Sequence, residues 1–287
     1  MRIMIVASDI ADLGQGLASL RAHAQKLAFV PTMGNLHSGH LALVEQAHHH
    51  ADAVIASIFV NPMQFAAHED LNIYPRTLEA DLTALETAGV DLVFTPSDRE
   101  IYPEESASHT AIHVPLLGDA LCGKDRRGHF DGVCTVVYKL FQLIKPDVAV
   151  FGEKDLQQLL IIKKMVSDLG LPIEIRSGPT QRAEDGLALS SRNHYLSAAE
   201  RAIAPKLFST LTACAESLPS AAQNSIETIL ASSRGELESA GFALDYFELR
   251  GLPRLQPVPD ATQDCALFVA ARLGQTRLID NIQLLNR

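Results

Sequence analysis

At 287 residues, 47% hydrophobic and 20% charged, the chain is long and apolar enough for two domains of unequal size, which excludes a disordered protein. A net charge of −10 speaks against a broad nucleic-acid footprint, although local basic residues can still hold one nucleotide. Four scattered cysteines (Cys122, Cys134, Cys214, Cys265) with no C-x-x-C pair exclude a disulfide framework and a zinc knuckle, and no apolar run reaches transmembrane length, so a cytoplasmic protein with no membrane partner is expected.

Residues 1–6 read as a short apolar strand without the long core and cleavage site of a signal peptide, and residues 12–25 as a helix. Residues 27–30 end a second buried strand. A turn follows through Pro31, Gly34 and Asn35, and Leu41, Leu43, Val44 and Ala47 then recur at helical spacing. A helix is therefore predicted to start near Ser38 or Gly39, with His37 and His40 at its N-terminus. Unpaired backbone N–H groups and the helix dipole favour phosphate there, and the small Ser38 and Gly39 allow close approach. His48, His49 and His50 fall at the end of that helix and read as a solvated terminus. Three adjacent helical side chains diverge too much to share one metal.

Residues 53–60 form a continuous apolar strand of the kind buried on both faces of a parallel sheet, leading into Asn61, Pro62, Met63, Gln64 and Phe65. Ligands of open parallel sheets lie beyond the strand C-termini, so Asn61 and Gln64 point to a pocket for a small, partly apolar molecule, with a simple capping turn as the alternative. Residues 66–72 read as a loop, and a helix runs to about residue 88. Residues 91–94 and 112–114 read as strands and residues 118–131 as a polar, glycine-containing loop. A helix is predicted over 132–144, and a strand over 148–151 feeds Gly152, Glu153, Lys154 and Asp155. Another helix and a strand at 173–175 complete an alternation that defines a doubly wound parallel sheet of the α/β class. Beyond a joint at Leu189, Ser190, Ser191, Arg192 and Asn193 come two predicted helices (197–217 and 226–240) and three strands (245–249, 266–271 and 278–283). These make a smaller C-terminal α+β domain. The expected boundaries are 1–182 and 183–287.

Pooled, these turns hold two histidines, hydroxyls and two cations, Lys154 and Arg192, a set suited to a polyphosphate. The chain lacks the G-x-x-x-x-G-K-[ST] loop, and attack on an α-phosphate to give an adenylate is the favoured chemistry. Taken singly, Lys154 also reads as a solvated cation, Asp155 as a helix cap, Arg192 as an interdomain ion pair, and Glu79 and Asp81 as a solvated helix face.

Six stretches, taken in order, carry a resemblance: residues 31–40 (Pro-Thr-Met-Gly-Asn-Leu-His-Ser-Gly-His), 59–65, 74–77, 128–130, 151–159 and 189–193. The first is similar to the signature of HIGH-type nucleotidyltransferases. The set as a whole resembles the pantothenate synthetase (pantoate–β-alanine ligase) family, and the likeness extends to Arg277-Leu278-Ile279-Asp280-Asn281.

The resemblance implies a Rossmann-like domain and a C-terminal lid domain hinged near Arg192. It also implies ATP, pantoate and β-alanine as substrates, Mg²⁺ with the nucleotide, no nucleic-acid partner, and a homodimer. His37, His40, Lys154 and Arg192 would be catalytic. ATP would meet Met33, Gly34, Asn35, Leu36, His37, Ser38, Gly39, His40, Gly152, Glu153, Lys154, Asp155, Gln181, Leu189, Ser190, Ser191 and Arg192. Pantoate would meet Gln64, Gln158, Met33, Asn61 and Arg126, with Phe59, Val133, Val136 and Val137 as apolar wall. β-Alanine would meet Gln64 and Tyr74, and Asp81 is the one residue set against the metal. Arg127, Asp131 and Gln181 depart from the family's usual residues. Rival readings are another adenylyl- or cytidylyltransferase, a tRNA synthetase fragment, which the acidic charge disfavours, and a nucleotide sensor.

Overall fold

The computed structural model describes residues 3–66, 69–104, 108–218, 225–259 and 261–285. The chain forms two compact units. The first comprises residues 1–119, 126–153 and 157–179; the second comprises residues 120–125, 154–156 and 180–287.

The first unit is a six-stranded, wholly parallel sheet of order β1-β4-β3-β2-β5-β6. Its elements run β1 (Ile5–Ala7), α1 (Ile10–Arg21), β2 (Leu27–Thr32), α2 (Ser38–His48), β3 (Ala53–Ile58), α3 (Leu78–Thr87), β4 (Leu92–Phe94) and α4 (Asp98–Ile101). After α5 (Cys122–Asp125), which the second unit takes up, come α6 (His129–Ile144), β5 (Val148–Gly152), α7 (Leu156–Asp168) and β6 (Glu174–Gly178). Successive strand residues point to opposite faces. Ala28, Val30, Val54 and Ala56 therefore pack with Val44 and Ala47 of α2 and Leu85 of α3. Phe29 stands edge-on to Phe141 of α6, at 6.3 Å between ring centres. Burial on both faces is why these strands read as unbroken apolar runs.

The strand order places the site. From β2 the chain moves outward to β3 and β4, and from β5 it moves the other way to β6. The neighbouring strands β2 and β5 thus flank the point where the winding reverses, and ligands of open α/β sheets bind off the carboxyl ends at such a point. Strand β2 ends at Thr32, one residue before Met33, and β5 ends at Gly152.

The second unit has α8 (Ala198–Ile203), α9 (Lys206–Ser217) and α10 (Ile226–Ser239) against an antiparallel sheet of β7 (Ala243–Gly251), β8 (Cys265–Leu273) and β9 (Thr276–Leu284), in that order. Leu207, Leu211 and Leu237 pack with Phe247, Leu267 and Leu278 to form its core.

Some expectations need correction. Residues 112–114 form no strand, because the Ile112 N–H bonds the Thr135 hydroxyl of α6 (2.9 Å) rather than a neighbouring strand. The helix expected from residue 132 begins at His129, after Gly128 in the left-handed region (φ 78°). The helix expected over 197–217 is two, with Pro205 capping the second. The loop expected over 118–131 holds α5 and the first turn of α6. Of the loop at 66–72, Ala67 and His68 lie outside the described residues, as do Met1 and Arg2 of the first predicted strand. His48 and His49 lie exposed at the end of α2, with His48 Nε2 3.0 Å from the Ala88 carbonyl. No helix of the described residues is long and apolar enough to cross a membrane.

Candidate active site

The turn after β2 is built from its backbone outward. Gly34 and Asn35 both take the left-handed region (φ 77° and 49°), which glycine adopts freely and asparagine tolerates. At Gly34 a Cβ would lie 3.0 Å from Asp81 Oδ2 and 3.1 Å from Ile58 Cγ2. The Asp81 carboxylate, 3% exposed, holds this turn. Its Oδ2 accepts from the Asn35 N–H (2.9 Å) and the Thr77 hydroxyl (3.1 Å), and its Oδ1 accepts from the Leu36 N–H (2.8 Å). Asp81 therefore does not lie on a solvated face. It is buried because three donors converge on it, and it braces the turn. Among the described residues no group of three or more His, Cys, Asp or Glu side chains could hold a metal ion.

That turn delivers His37 to the N-cap of α2. His37 Nδ1 accepts from the Gly39 N–H (3.1 Å), and His40 Nδ1 accepts from the His37 N–H (3.3 Å). The rings lie 4.1 Å apart. With both Nδ1 atoms accepting, each neutral ring carries its proton on Nε2. Two capping imidazoles and the N-terminus of a helix thus sit just beyond the end of β2, an arrangement that favours an anion.

Asn61 and Gln64 sit on the turn after β3. Asn61 is 1% exposed and fully engaged. Its Oδ1 accepts from the Met63 N–H (3.2 Å) and the Tyr102 hydroxyl (2.8 Å). Its Nδ2 donates to the Gly132 carbonyl (3.1 Å) and to Gln64 Oε1 (3.2 Å). The Gln64 Nε2 donates to Met33 Sδ (3.0 Å), so both ends of that amide are oriented. Asn61 thus acts by aiming Gln64. Burial, followed by the charge of Asp98, pushes the Tyr102 phenol far above its ordinary range, keeping it a donor to Asn61.

A second clamp holds the Gln64 backbone. Arg126 makes a two-point pair with Glu69 (Nε–Oε1 2.6 Å, Nη2–Oε2 2.7 Å) and donates to the Gln64 carbonyl at 3.4 Å. His129 Nδ1 donates to the same carbonyl (2.8 Å), leaving Nε2 to accept from Arg126 Nη1 (3.0 Å). Burial works to raise the Glu69 pKa, but the Arg126 guanidinium and the Ala66 N–H outweigh it and hold the carboxyl at about 2. Gly132 completes the support. A Cβ there would lie 2.3 Å from the Met63 carbonyl oxygen, so α6 can approach the turn only with glycine at this point.

Met33 and Gln64 are in contact, Phe59, Val133, Val136 and Val137 are buried, and Gln158 is half-buried on α7. Tyr74 is 5% exposed, its ring edge-on to Phe65. Gly152 ends β5, and Glu153 accepts from the Ser177 hydroxyl (2.7 Å). The remaining expected residues belong to the second unit. There Lys154 pairs with Asp155 (3.8 Å), and Gln181 and Leu189 close a hairpin (Leu189 N–H to Gln181 carbonyl, 2.9 Å). Ser190 caps the short Ser191–Tyr195 helix by accepting from the Arg192 N–H (3.3 Å). Of the departures, Asp131 pairs with His113 (2.9 Å) and Arg127 is exposed. Sequence reading missed Glu69, Tyr102 and Gly132. Only Gly132, a glycine at the start of a helical pattern, left a signal of close approach.

A doubly wound parallel sheet with a histidine-capped helix at its reversal point defines a Rossmann-like α/β protein, joined here to a C-terminal α+β unit. The family model described as pantoate-beta-alanine ligase matches residues 5–283. The chain is 53% identical to the pantothenate synthetase of Chromohalobacter salexigens over 97% of this chain and 98% of that one. It is 52% identical to that of Aeromonas hydrophila subsp. hydrophila over 97% of each. The crystal structure of pantothenate synthetase from Thermus thermophilus aligns with a TM-score of 0.89 at 43% identity, over 99% of this chain and 100% of that one. Pantoate-beta-alanine ligase from Francisella tularensis, complexed with beta-gamma ATP and beta-alanine, aligns with a TM-score of 0.82 at 37% identity, over 98% of each chain. The chain belongs to the pantoate–β-alanine ligase family and is a ligase that forms an amide bond.

Proposed function

We propose that the enzyme joins (R)-pantoate to β-alanine in two steps, with ATP as co-substrate. A pantoate carboxylate oxygen attacks the α-phosphorus, the bond to the bridging oxygen breaks, and pyrophosphate leaves. The β-alanine amine then attacks the acyl carbon of the pantoyl adenylate and loses a proton, and AMP leaves with its phosphate oxygen. The observation that supports this reading is that His37 and His40 both cap the start of α2 through Nδ1, which leaves the proton of each neutral ring on Nε2; in this reading those two donors meet the charge that develops on the α-phosphate. In this reading His40 assists the departing pyrophosphate, while Lys154 and Arg192 supply fixed positive charge. Gly34 to His40, Gly152 to Asp155, Gln181 and Leu189 to Arg192 serve ATP. Gln64 and Gln158 bind the polar groups of pantoate against an apolar wall that includes Met33 and Val136, and Gln64 and Tyr74 serve β-alanine. Mg²⁺ would be held mainly by the phosphates of the nucleotide, where it would offset their charge, and the protein acts in the cytoplasm as a homodimer.

The test is AMP formation from ATP and D-pantoate, with and without β-alanine, alongside sedimentation for the dimer. Steady AMP release that needs β-alanine is the expected result. Release indifferent to β-alanine, or a stable nucleotide conjugate in place of AMP, would point to a nucleotidyltransferase instead.

A further inference from the structure

Strand β9 carries two consecutive buried polar residues, Asp280 (4% exposed) and Asn281 (7%), where strand alternation buries only every second side chain. Each has a different client. Asp280 takes Arg182 in a two-point pair (2.6 and 2.9 Å), and Arg182 also donates to the Gly186 carbonyl, fixing the hairpin that runs from Gln181 to Leu189. Asn281 lies one residue on, on the other face of the strand, and its Nδ2 donates to the Lys154 carbonyl at 3.0 Å. Arg277 shares the face of Asn281 by the two-residue period. It reaches the Cys122 sulfur at 3.5 Å with both terminal nitrogens, and Tyr246 of β7 meets the same sulfur at 2.9 Å. The two short pieces that the second unit takes from earlier in the chain, residues 120–125 and 154–156, are thus each held by a side chain of β9 on this one face.

We infer that Asn281 is a positioning residue, acting through the backbone of Lys154 to set the reach of its ammonium toward the nucleotide. A lysine offers a point charge on a long flexible stem, so its use depends on where its backbone is fixed. Asp280, on the same strand, fixes the hairpin carrying two further residues assigned to ATP, so β9 sets the spacing between Lys154 and that hairpin. This inference rests on the proposed role of Lys154 in binding ATP.

The test is a double-mutant cycle on the full-length enzyme with Asn281→Ala, Lys154→Ala and the two together. It is read in ATP affinity by titration calorimetry with Mg²⁺ present, and in kcat and KM for ATP and β-alanine. In the parent, loss of one hydrogen bond that orders a binding group is expected to weaken ATP about tenfold, with KM for β-alanine unchanged. In the Lys154→Ala background the same change is expected to have no further effect, because the group it positions is gone. An equal loss in both backgrounds, or no loss in the parent, overturns the inference. Asn281→Asp, which keeps size but turns an acceptor toward the carbonyl, closes the same cycle if circular dichroism shows the alanine variant unfolded. A parent enzyme that binds ATP but forms no AMP with pantoate defeats the proposed reaction and leaves the affinity cycle to decide the role of Asn281.

Discussion

His40 Nδ1 accepts the backbone N–H of His37 at 3.3 Å, so the residue assigned to the leaving group also completes the cap of its own helix. One substitution therefore has two consequences. His40→Ala is expected to lower adenylate formation by about two to three orders of magnitude, as for loss of one transition-state donor. It is also expected to cost about 1 kcal/mol of stability through the weakened cap. Single-turnover assays and thermal melts on one preparation separate the two. A loss of stability with turnover unchanged would remove His40 from the chemistry.

Asp81 gives a second prediction. Asp81→Asn replaces one acceptor oxygen with a donor that faces the Asn35 or Leu36 N–H or the Thr77 hydroxyl, so a buried donor pair is left unsatisfied. A cost of about 1–3 kcal/mol is expected. The half-saturating Mg²⁺ concentration is expected to stay constant, because both Asp81 oxygens are taken up by the turn, which accords with the proposal that the metal comes with ATP. A shift of tenfold or more in Mg²⁺ dependence would restore Asp81 as a metal ligand.

The contrast between Asp81 and His37 shows what the sequence could carry. The parallel sheet was legible because doubly buried strands leave unbroken apolar runs, as in residues 53–58, and the helix after Gly34 and Asn35 because breakers and apolar spacing are local. Asp81 was not legible, since two of its three partners, Asn35 and Leu36, lie more than forty positions away and a carboxylate in the first turn of a helix reads as solvated whichever way it points. The same holds for Arg126, whose pairing with Glu69 spans 57 positions. Residues 112–114 misled because β-branched residues favour extended backbone, and only the Thr135 hydroxyl decides that this backbone joins no sheet.

Gly132→Ala is expected to damage pantoate use more than stability. The added methyl would sit 2.3 Å from the Met63 carbonyl oxygen and 2.7 Å from the Gln64 nitrogen, so the turn must shift and carry the Gln64 amide with it. Displacement of a positioned group by about 1 Å costs about a hundredfold in catalysis, while such overpacking costs about 1–3 kcal/mol of stability. Gly235→Ala, in α10 with nothing within 4 Å of the new methyl, is the matched control. It is expected to raise stability by about 0.5–1 kcal/mol and leave kcat/KM for pantoate unchanged. Equal kinetics in the two variants would refute the link between Gly132 and Gln64.

The Glu69–Arg126 pair predicts an acid limit for the support of Gln64. The carboxyl titrates at about 2 in the folded protein, below its ordinary value of about 4.3 in an unfolded chain. A lowered folded-state pKa means that the ionised pair stabilises the fold above the unfolded value, and that this contribution is lost as pH falls from about 4.3 through about 2. The difference in unfolding free energy between the parent and Glu69→Gln is therefore expected to be constant from neutral pH to about 5, then to shrink and vanish near pH 2. Urea melts at half-unit intervals measure it, and a difference that instead grew toward acid would reverse the sign of the linkage. His113 acts in the opposite sense. Its hydrogen bond to Asp131 raises its pKa, so its contribution is complete below about 6.5 and fades as pH rises through the folded value. Glu69→Gln is therefore expected to change the slope of the stability profile on its acid arm alone, and His113→Gln the slope above about 6.5 alone.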